Sequence, residues 1–262
     1  MKYGFLGCGN MGGAIATALA NVTTDILITD RTGKAKILAE KIGCQYADAS
    51  KVASSCDRIF LAVKPQIMQE ALDSIAPVLR ERKVLIITMA AGLTIERIEK
   101  MIGASLPVIR IMPNTPVAVG CGMTLYCAND LVSAEMLEDF LNDMRYCGQF
   151  DALSESLIDV GSAISGSGPA YLYLFAEALA SAADECGIDR EQAIMHAAAT
   201  MVGAGQMMLK SGIDPADLRK AVCSPGGSTL EGLKALESNH FEEAIHSCVL
   251  AAYHRNQELG KK

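Results

Sequence analysis

The sequence predicts an α/β fold in which a doubly wound, largely parallel sheet occupies residues 1–152 and an all-α domain occupies residues 153–262. Three observations carry this expectation. Short apolar runs alternate with amphipathic stretches from Lys2 to about Phe150, the pattern of βα units with right-handed connections. The strand signal stops after about Ala152. The last 110 residues contain 18 alanines in long helical periodicities, with breaks at Gly187, at Ser211-Gly212 with Pro215 just after, and at Asn239.

Taken in order, the apolar runs are Tyr3 to Leu6, Ile26 to Thr29, Arg58 to Val63, Val84 to Thr88, Pro107 to Met112 and Met123 to Cys127. Each is short enough for a buried strand. Between the early runs, Ala14 to Ala20 reads as a helix, and Lys34 to Ile42 places Ile37, Leu38 and Ile42 on one helical face. The second half divides into helices over Pro169 to Cys186, Arg190 to Leu209, Thr229 to Glu237 and Phe241 to Leu259. Its Ala- and Gly-rich faces, Ala176 to Ala183 and Ala197 to Gly205, permit close helix contact and suggest an intertwined homodimer.

Gly7-Cys8-Gly9-Asn10-Met11-Gly12 follows the first strand and opens a helix. The first Gly permits a tight turn, the second lets a pyrophosphate approach the backbone, and the third lets helix and strand pack closely. In a strand-turn-helix-strand unit this spacing points to a Rossmann-type dinucleotide site. The second strand ends in Asp30-Arg31-Thr32, with Asp30 lying 18 residues after Gly12. An acid there accepts hydrogen bonds from the adenosine ribose and favours NAD, whereas Arg31 and Thr32 suit the 2′-phosphate of NADP. Both cofactors stay open on these residues.

Ligands of open α/β sheets lie outside the carboxyl ends of the strands. Three further segments stand there: Ala62-Val63-Lys64-Pro65, Ala90-Ala91-Gly92, and the Pro-bounded loop carrying Asn114. Small residues at 90–92 let a flat ring approach the backbone, and Asn114 suits a carboxamide. Ordinary loop punctuation would explain any one of these segments alone.

In the helical half, Gly226-Gly227-Ser228-Thr229 precedes a helix. Glycines and hydroxyls at a helix start expose backbone amides to a carboxylate. Helix capping by Ser228 or Thr229 is the plainer account, but a cap needs no pair of glycines.

Composition removes other classes. A net charge of -7 leaves no basic footprint for nucleic acid or an anionic membrane. No apolar stretch approaches the roughly 18 residues of a membrane span, and the start breaks into glycines too early for a secretory signal. Nine cysteines without a CxxC pair and four scattered histidines predict neither a metal site nor a disulfide framework, and suit a reducing cytoplasm.

These motifs, with Met112-Pro113-Asn114-Thr115-Pro116, Ser165-Gly166-Ser167-Gly168-Pro169-Ala170-Tyr171 and Ser224-Pro225-Gly226-Gly227-Ser228-Thr229, resemble pyrroline-5-carboxylate reductases in order and spacing over essentially the whole chain. The resemblance implies reduction of 1-pyrroline-5-carboxylate to L-proline with NADPH, or with NADH as an alternative, in the last step of proline biosynthesis. It also implies a helical domain that interleaves in a homodimer, in some members assembled into decamers. Carried onto this chain, it puts the substrate in the Gly226–Thr229 turn, its carboxylate on the backbone amides of Gly227, Ser228 and Thr229 and its ring nitrogen on the Thr229 hydroxyl, with Glu155 as an acid near the substrate. Residues 62–65 and 90–92 would wall the nicotinamide end. Asp30 stands where many members have Asn or Ser, and Ala221 where some have Asn. The related β-hydroxyacid dehydrogenases keep a catalytic Lys at a position that is Leu172 here, and a dinucleotide-binding regulator would not need the Gly226–Thr229 turn.

Overall fold

In the computed structural model, which describes residues 1–260, eight strands form one sheet. They are β1 (Tyr3–Leu6), β2 (Ile26–Thr29), β3 (Gln45–Tyr46), β4 (Arg58–Leu61), β5 (Leu85–Thr88), β6 (Val108–Met112), β7 (Gly122–Ala128) and β8 (Gly148–Ala152). Their order is β3-β2-β1-β4-β5-β6-β7-β8. The first six run parallel; β7 is antiparallel to β6, and β8 is parallel to β7. β3 and β8 have no counterpart among the apolar runs because they close the two edges of the sheet: both β3 residues are exposed, and β8 is at best half-buried.

Helices α1 (Asn10–Leu19), α2 (Lys34–Ile42), α3 (Ala49–Ser55), α4 (Met68–Asp73), α5 (Ala76–Arg80), α6 (Ile95–Ile102) and α7 (Ala134–Asp143) connect the strands. Successive strand residues point to opposite faces. Thus Phe60 packs with Phe5, Ile15 of α1, Ala39 of α2 and Phe140 of α7, while Ile59 and Leu61 pack with Val52 of α3, Leu72 of α4, Leu79 of α5 and Ile98 of α6. Phe5 and Phe60 stack with ring centroids 4.4 Å apart. Helices cover both faces, which explains the near-continuous apolar strands.

Six more helices follow: α8 (Ile158–Ser165), α9 (Gly168–Glu185), α10 (Arg190–Ser211), α11 (Pro215–Ala221), α12 (Ser228–Ser238) and α13 (Phe241–Gly260). Punctuation falls where the sequence places it. Asp189 accepts the Glu191 and Gln192 amides at the start of α10, and Gly212, at φ 63°, closes that helix in the left-handed region.

The chain divides into two compact units, Met1–Pro169 with the stretch from Ala252 onward, and Ala170–Ala251. Helix α8 belongs to the first because Ile158 packs with Met112 and Leu125. In the second unit the buried apolar residues, among those described, are Ala180, Ala193 and Ala197. Leu174, Val202 and Leu209 stand 67%, 67% and 73% exposed. No helix among the described residues is long and apolar enough to cross a membrane.

All nine cysteines are free thiols. Burial pushes Cys8 and Cys147 up to about 12 and Cys56 and Cys127 up to about 11, with Asp30 and Cys44 adding to the effect at Cys8. Native protein treated with iodoacetamide at pH 8 is expected to spare these four, while urea exposes all nine; peptide mass spectrometry reads the difference. Because an unfolded thiol titrates near 9, the stability held by keeping them neutral is complete below that pH. It is lost as the pH rises toward 11–12, so the urea midpoint should fall over that interval. Rapid native alkylation of Cys8 would count against this account.

Candidate functional site

Each glycine of the first turn has its own reason to lack a side chain. Gly7 leaves β1 at φ 102°, and a Cβ there would lie 2.6 Å from the Ala62 carbonyl oxygen. At Gly12 a Cβ would lie 2.5 Å from the Gly7 carbonyl oxygen and 2.8 Å from Ala62 Cβ, so close packing of α1 on β1 and the end of β4 requires both Gly12 and a small residue at 62. The packing also carries the helix back to Asn10, four residues before the expected Ala14. Gly9 differs: a Cβ there would meet nothing within 4 Å. Gly9 is the N-cap of α1 without a side-chain cap, and no acid occupies the first turn. Gly9 thus stands in open space at the start of α1, where the first amides have no intrahelical acceptor and the helix dipole is positive.

Beside this turn lies a cavity of about 650 Å³, within the range of roughly 300–1,000 Å³ usual for small-molecule sites. Gly7, Cys8, Gly9, Asp30, Arg31, Thr32, Ala62, Val63 and Lys64 all line it. It stands where the strand order reverses about β1, outside the carboxyl ends of β1, β2 and β4. The glycine seat, the uncapped amides and the Asp30 carboxylate together fit a dinucleotide. Asn10 borders a smaller adjoining recess with Cys8 and Gly9. Met11 and Gly12 belong to the body of α1, and Pro65 opens a 3₁₀ turn, Pro65–Ile67.

Ala90, Ala91, Gly92 and Asn114 occupy the same sheet edge, after β5 and β6, but do not line this cavity. The Ala90 N–H donates to the Thr88 hydroxyl at 3.4 Å, and Gly92 turns the chain at φ 73°. Asn114 is buried. Its Nδ2 donates to the Ser165 carbonyl at 2.9 Å and its Oδ1 accepts the Met123 N–H at 2.8 Å, so its carboxamide ties the loop to α8 and β7.

At the end of β2, Thr32 Oγ1 donates to Asp30 Oδ2 at 2.5 Å and the Gly33 N–H donates to Oδ1 at 3.0 Å. Burial raises the Asp30 carboxyl, but the Thr32 hydroxyl and the amides of Ala35, Gly33 and Lys34 outweigh it and hold the group below its ordinary value. Arg31 forms a two-pronged ion pair with Glu70 of α4, at 2.9 and 3.0 Å. Glu70 lies outside every motif of the sequence. The only signal was its place in the helix following Lys64-Pro65, because pairing across 39 residues leaves no periodic trace.

The Gly226–Thr229 turn lies at the start of α12. Gly227 is its N-cap and no side chain caps it, so Ser228 and Thr229 open the helix without acting as caps. Gly226 sits at φ 72° in open space, and Thr229 is exposed. A Cβ on Gly227 would lie 2.5 Å from Ser224 Oγ, so the Gly-Gly pair has a local reason in the turn as well.

Glu155 is engaged within the protein. Its Oε1 accepts the Ile95 N–H at 2.8 Å and lies 3.2 Å from Arg110 Nη1. Arg110 is only 2% exposed and also pairs with Asp159 at 3.0 Å. A second cavity near Glu155, of about 560 Å³, is lined by Glu96, Glu99 and Glu155 without a glycine turn or a cation, and offers nothing to a dinucleotide. Among the described residues no group of three or more His, Cys, Asp or Glu is placed to hold a metal ion.

Comparison with known proteins agrees with this arrangement. A family model described as pyrroline-5-carboxylate reductase dimerisation matches residues 155–259, and one described as NADP oxidoreductase, coenzyme F420-dependent, matches residues 2–92. The chain is 37% identical to the pyrroline-5-carboxylate reductase of Escherichia coli (strain K12), covering 99% of this chain and 98% of that one. The structure of pyrroline carboxylate reductase from Plasmodium falciparum with NADP bound aligns with a TM-score of 0.87 at 32% identity, covering 99% of this chain and 98% of that one. The pyrroline-5-carboxylate reductase of Coxiella burnetii gives 0.90 at 34%, covering 100% and 99%. With full-length identity at this level, a dinucleotide seat on the sheet and a dimerisation region in the helices, the chain belongs to the pyrroline-5-carboxylate reductase family.

Proposed function

We infer that this chain reduces 1-pyrroline-5-carboxylate to L-proline with NADPH, and with NADH as an alternative, in the last step of proline biosynthesis. The observation that carries the reading is the glycine seat of residues 7–12 opening onto the Asp30–Thr32 cavity, in a chain related end to end to reductases of this name. When bound, the reduced dinucleotide supplies the hydride. The protein's share is binding and orientation. Residues 62–65 and 90–92 wall the nicotinamide end, and Asn114 braces that edge.

The amides of Gly227, Ser228 and Thr229 hold the substrate carboxylate at the positive end of α12, and the turn is shaped by Gly226. The Thr229 hydroxyl orients the ring nitrogen. A protonated imine is the better electrophile and forms in water, so the site does without a strong acid. Glu155 takes part as a positioning residue, since its Oε1 joins Arg110 to the start of α6.

Oxidation of NADPH and of NADH with pyrroline-5-carboxylate, followed at 340 nm, tests the reading, and no turnover with either would overturn it. Thr229→Ala is expected to lower kcat/KM by about tenfold to a hundredfold, the loss of one hydrogen bond to a charged group. Dinucleotide affinity should stay within about twofold; a collapse of that affinity would place Thr229 elsewhere.

The same reading assigns residues 1–152 to cofactor binding and 153–262 to dimerisation and substrate binding. The family match beginning at residue 155 supports that division. A homodimer, with decamers assembled from dimers at higher order, accounts for the exposed Leu174, Val202 and Leu209. Sedimentation as a monomer at micromolar concentration would count against it. Nine free thiols suit a cytoplasmic location.

A further inference from the structure

The two groups best suited to a 2′-phosphate are both already bonded to carboxylates. Thr32 donates to Asp30, and the Arg31 guanidinium fork is filled by Glu70. A guanidinium presents the same parallel pair of donors to a carboxylate and to a phosphate. Glu70 therefore holds the Nη1/Nη2 pair of Arg31, for which a 2′-phosphate would compete, within the cavity that both residues line. No such conflict exists for a cofactor bearing a plain 2′-hydroxyl, which Asp30 accepts without Arg31 moving. The pair is exposed, with side chains 58% and 68% accessible, so it is weak enough to open and strong enough to compete.

We propose that Glu70 is a specificity-determining residue that acts through Arg31: by competing with the 2′-phosphate for the guanidinium, it narrows the preference for NADPH over NADH. The proposal rests on the dinucleotide reading of this cavity. A single carboxylate outside the glycine motif and outside the β2 terminus then tunes the choice of cofactor, and it does so without touching nicotinamide or substrate.

The test is calorimetric titration of the full-length protein with NADP⁺ and with NAD⁺. Glu70→Gln keeps the size and exposure of the side chain and removes its charge. NADP⁺ is expected to bind about threefold to fivefold tighter, the range of an exposed ion pair, while NAD⁺ changes by less than about twofold. Arg31→Ala should weaken NADP⁺ by about tenfold, and adding Glu70→Gln to that variant should move NADP⁺ by less than about twofold, because the residue it acts through is gone. An unchanged NADP⁺ to NAD⁺ ratio in Glu70→Gln overturns the inference, as does an equal gain in the Arg31→Ala background, which would mean direct repulsion of the phosphate. If the unmodified protein binds both dinucleotides and the ratio does not move, the inference fails alone. If it binds neither, the dinucleotide reading falls and this inference with it.

Discussion

Gly9→Ala is expected to fold as stably as the unmodified protein and to lose on the order of a hundredfold in affinity for NADPH. The backbone at Gly9, φ −69° and ψ −168°, is open to any residue, and an added Cβ meets nothing within 4 Å. The methyl group would instead stand where a pyrophosphate approaches the first amides of α1. Losing one or two charge-assisted hydrogen bonds there costs about 1.5–3 kcal/mol each. Gly12→Ala is the contrasting case. Its Cβ would lie 2.5 Å from the Gly7 carbonyl oxygen, so α1 must move off the sheet, at about 1–3 kcal/mol of folding stability. Fluorescence titration with NADPH and urea unfolding, run side by side at one protein concentration, separate the two. NADPH binding by Gly9→Ala within about threefold of the unmodified protein would remove the pyrophosphate from this turn.

The second large effect is expected at Arg110. Arg110→Met keeps an unbranched side chain but leaves Glu155 and Asp159 without the cation that joins them, 32% and 26% exposed. Breaking a buried pair costs about 3–5 kcal/mol, and the partial exposure of both acids places this case near 2–3 kcal/mol. Glu155→Gln should cost about 1 kcal/mol, since an amide oxygen still accepts the Ile95 N–H. Lys100→Ala, at the exposed pair with Glu96, should leave the midpoint where it was. Urea midpoints at fixed protein concentration check the order, and a shift below about 1 kcal/mol for Arg110→Met would show that the network does not hold α8 to the sheet.

The legible parts of the fold are those with a local cause. Apolar runs became strands with ends displaced by a residue or two, and the dinucleotide turn could be read because three glycines at fixed spacing answer three separate steric demands. The edge strands β3 and β8 were not legible, since edge residues bury too little to leave an apolar signature. Nor was the true start of α1, which the sheet fixes by requiring Gly12 against Ala62.

Charges show the same division more sharply. Arg58 and Arg110 sit inside runs that read as apolar, and each is buried because acids far along the chain come to meet it. Asp139 and Asp143 approach Arg58, with the Tyr3 hydroxyl 2.6 Å from the guanidinium and its proton held by burial and by Asp143. Glu155 and Asp159 approach Arg110.

By itself, the sequence determined the α/β class, the helical second half, the glycine seat and its family, because these depend on periodicity, backbone sterics and residue spacing within a few turns of chain. Only the tertiary structure decided which polar groups meet: that Arg31 is held by Glu70, that the Asn114 amide is tied to the scaffold, and that Glu155 answers to Arg110. Those pairings join residues 39, 51 and 45 positions apart, with Asn114 also reaching 9 residues to Met123. A charge carries no periodicity that would name its partner, so such contacts exist only once the sheet has brought the strand ends together.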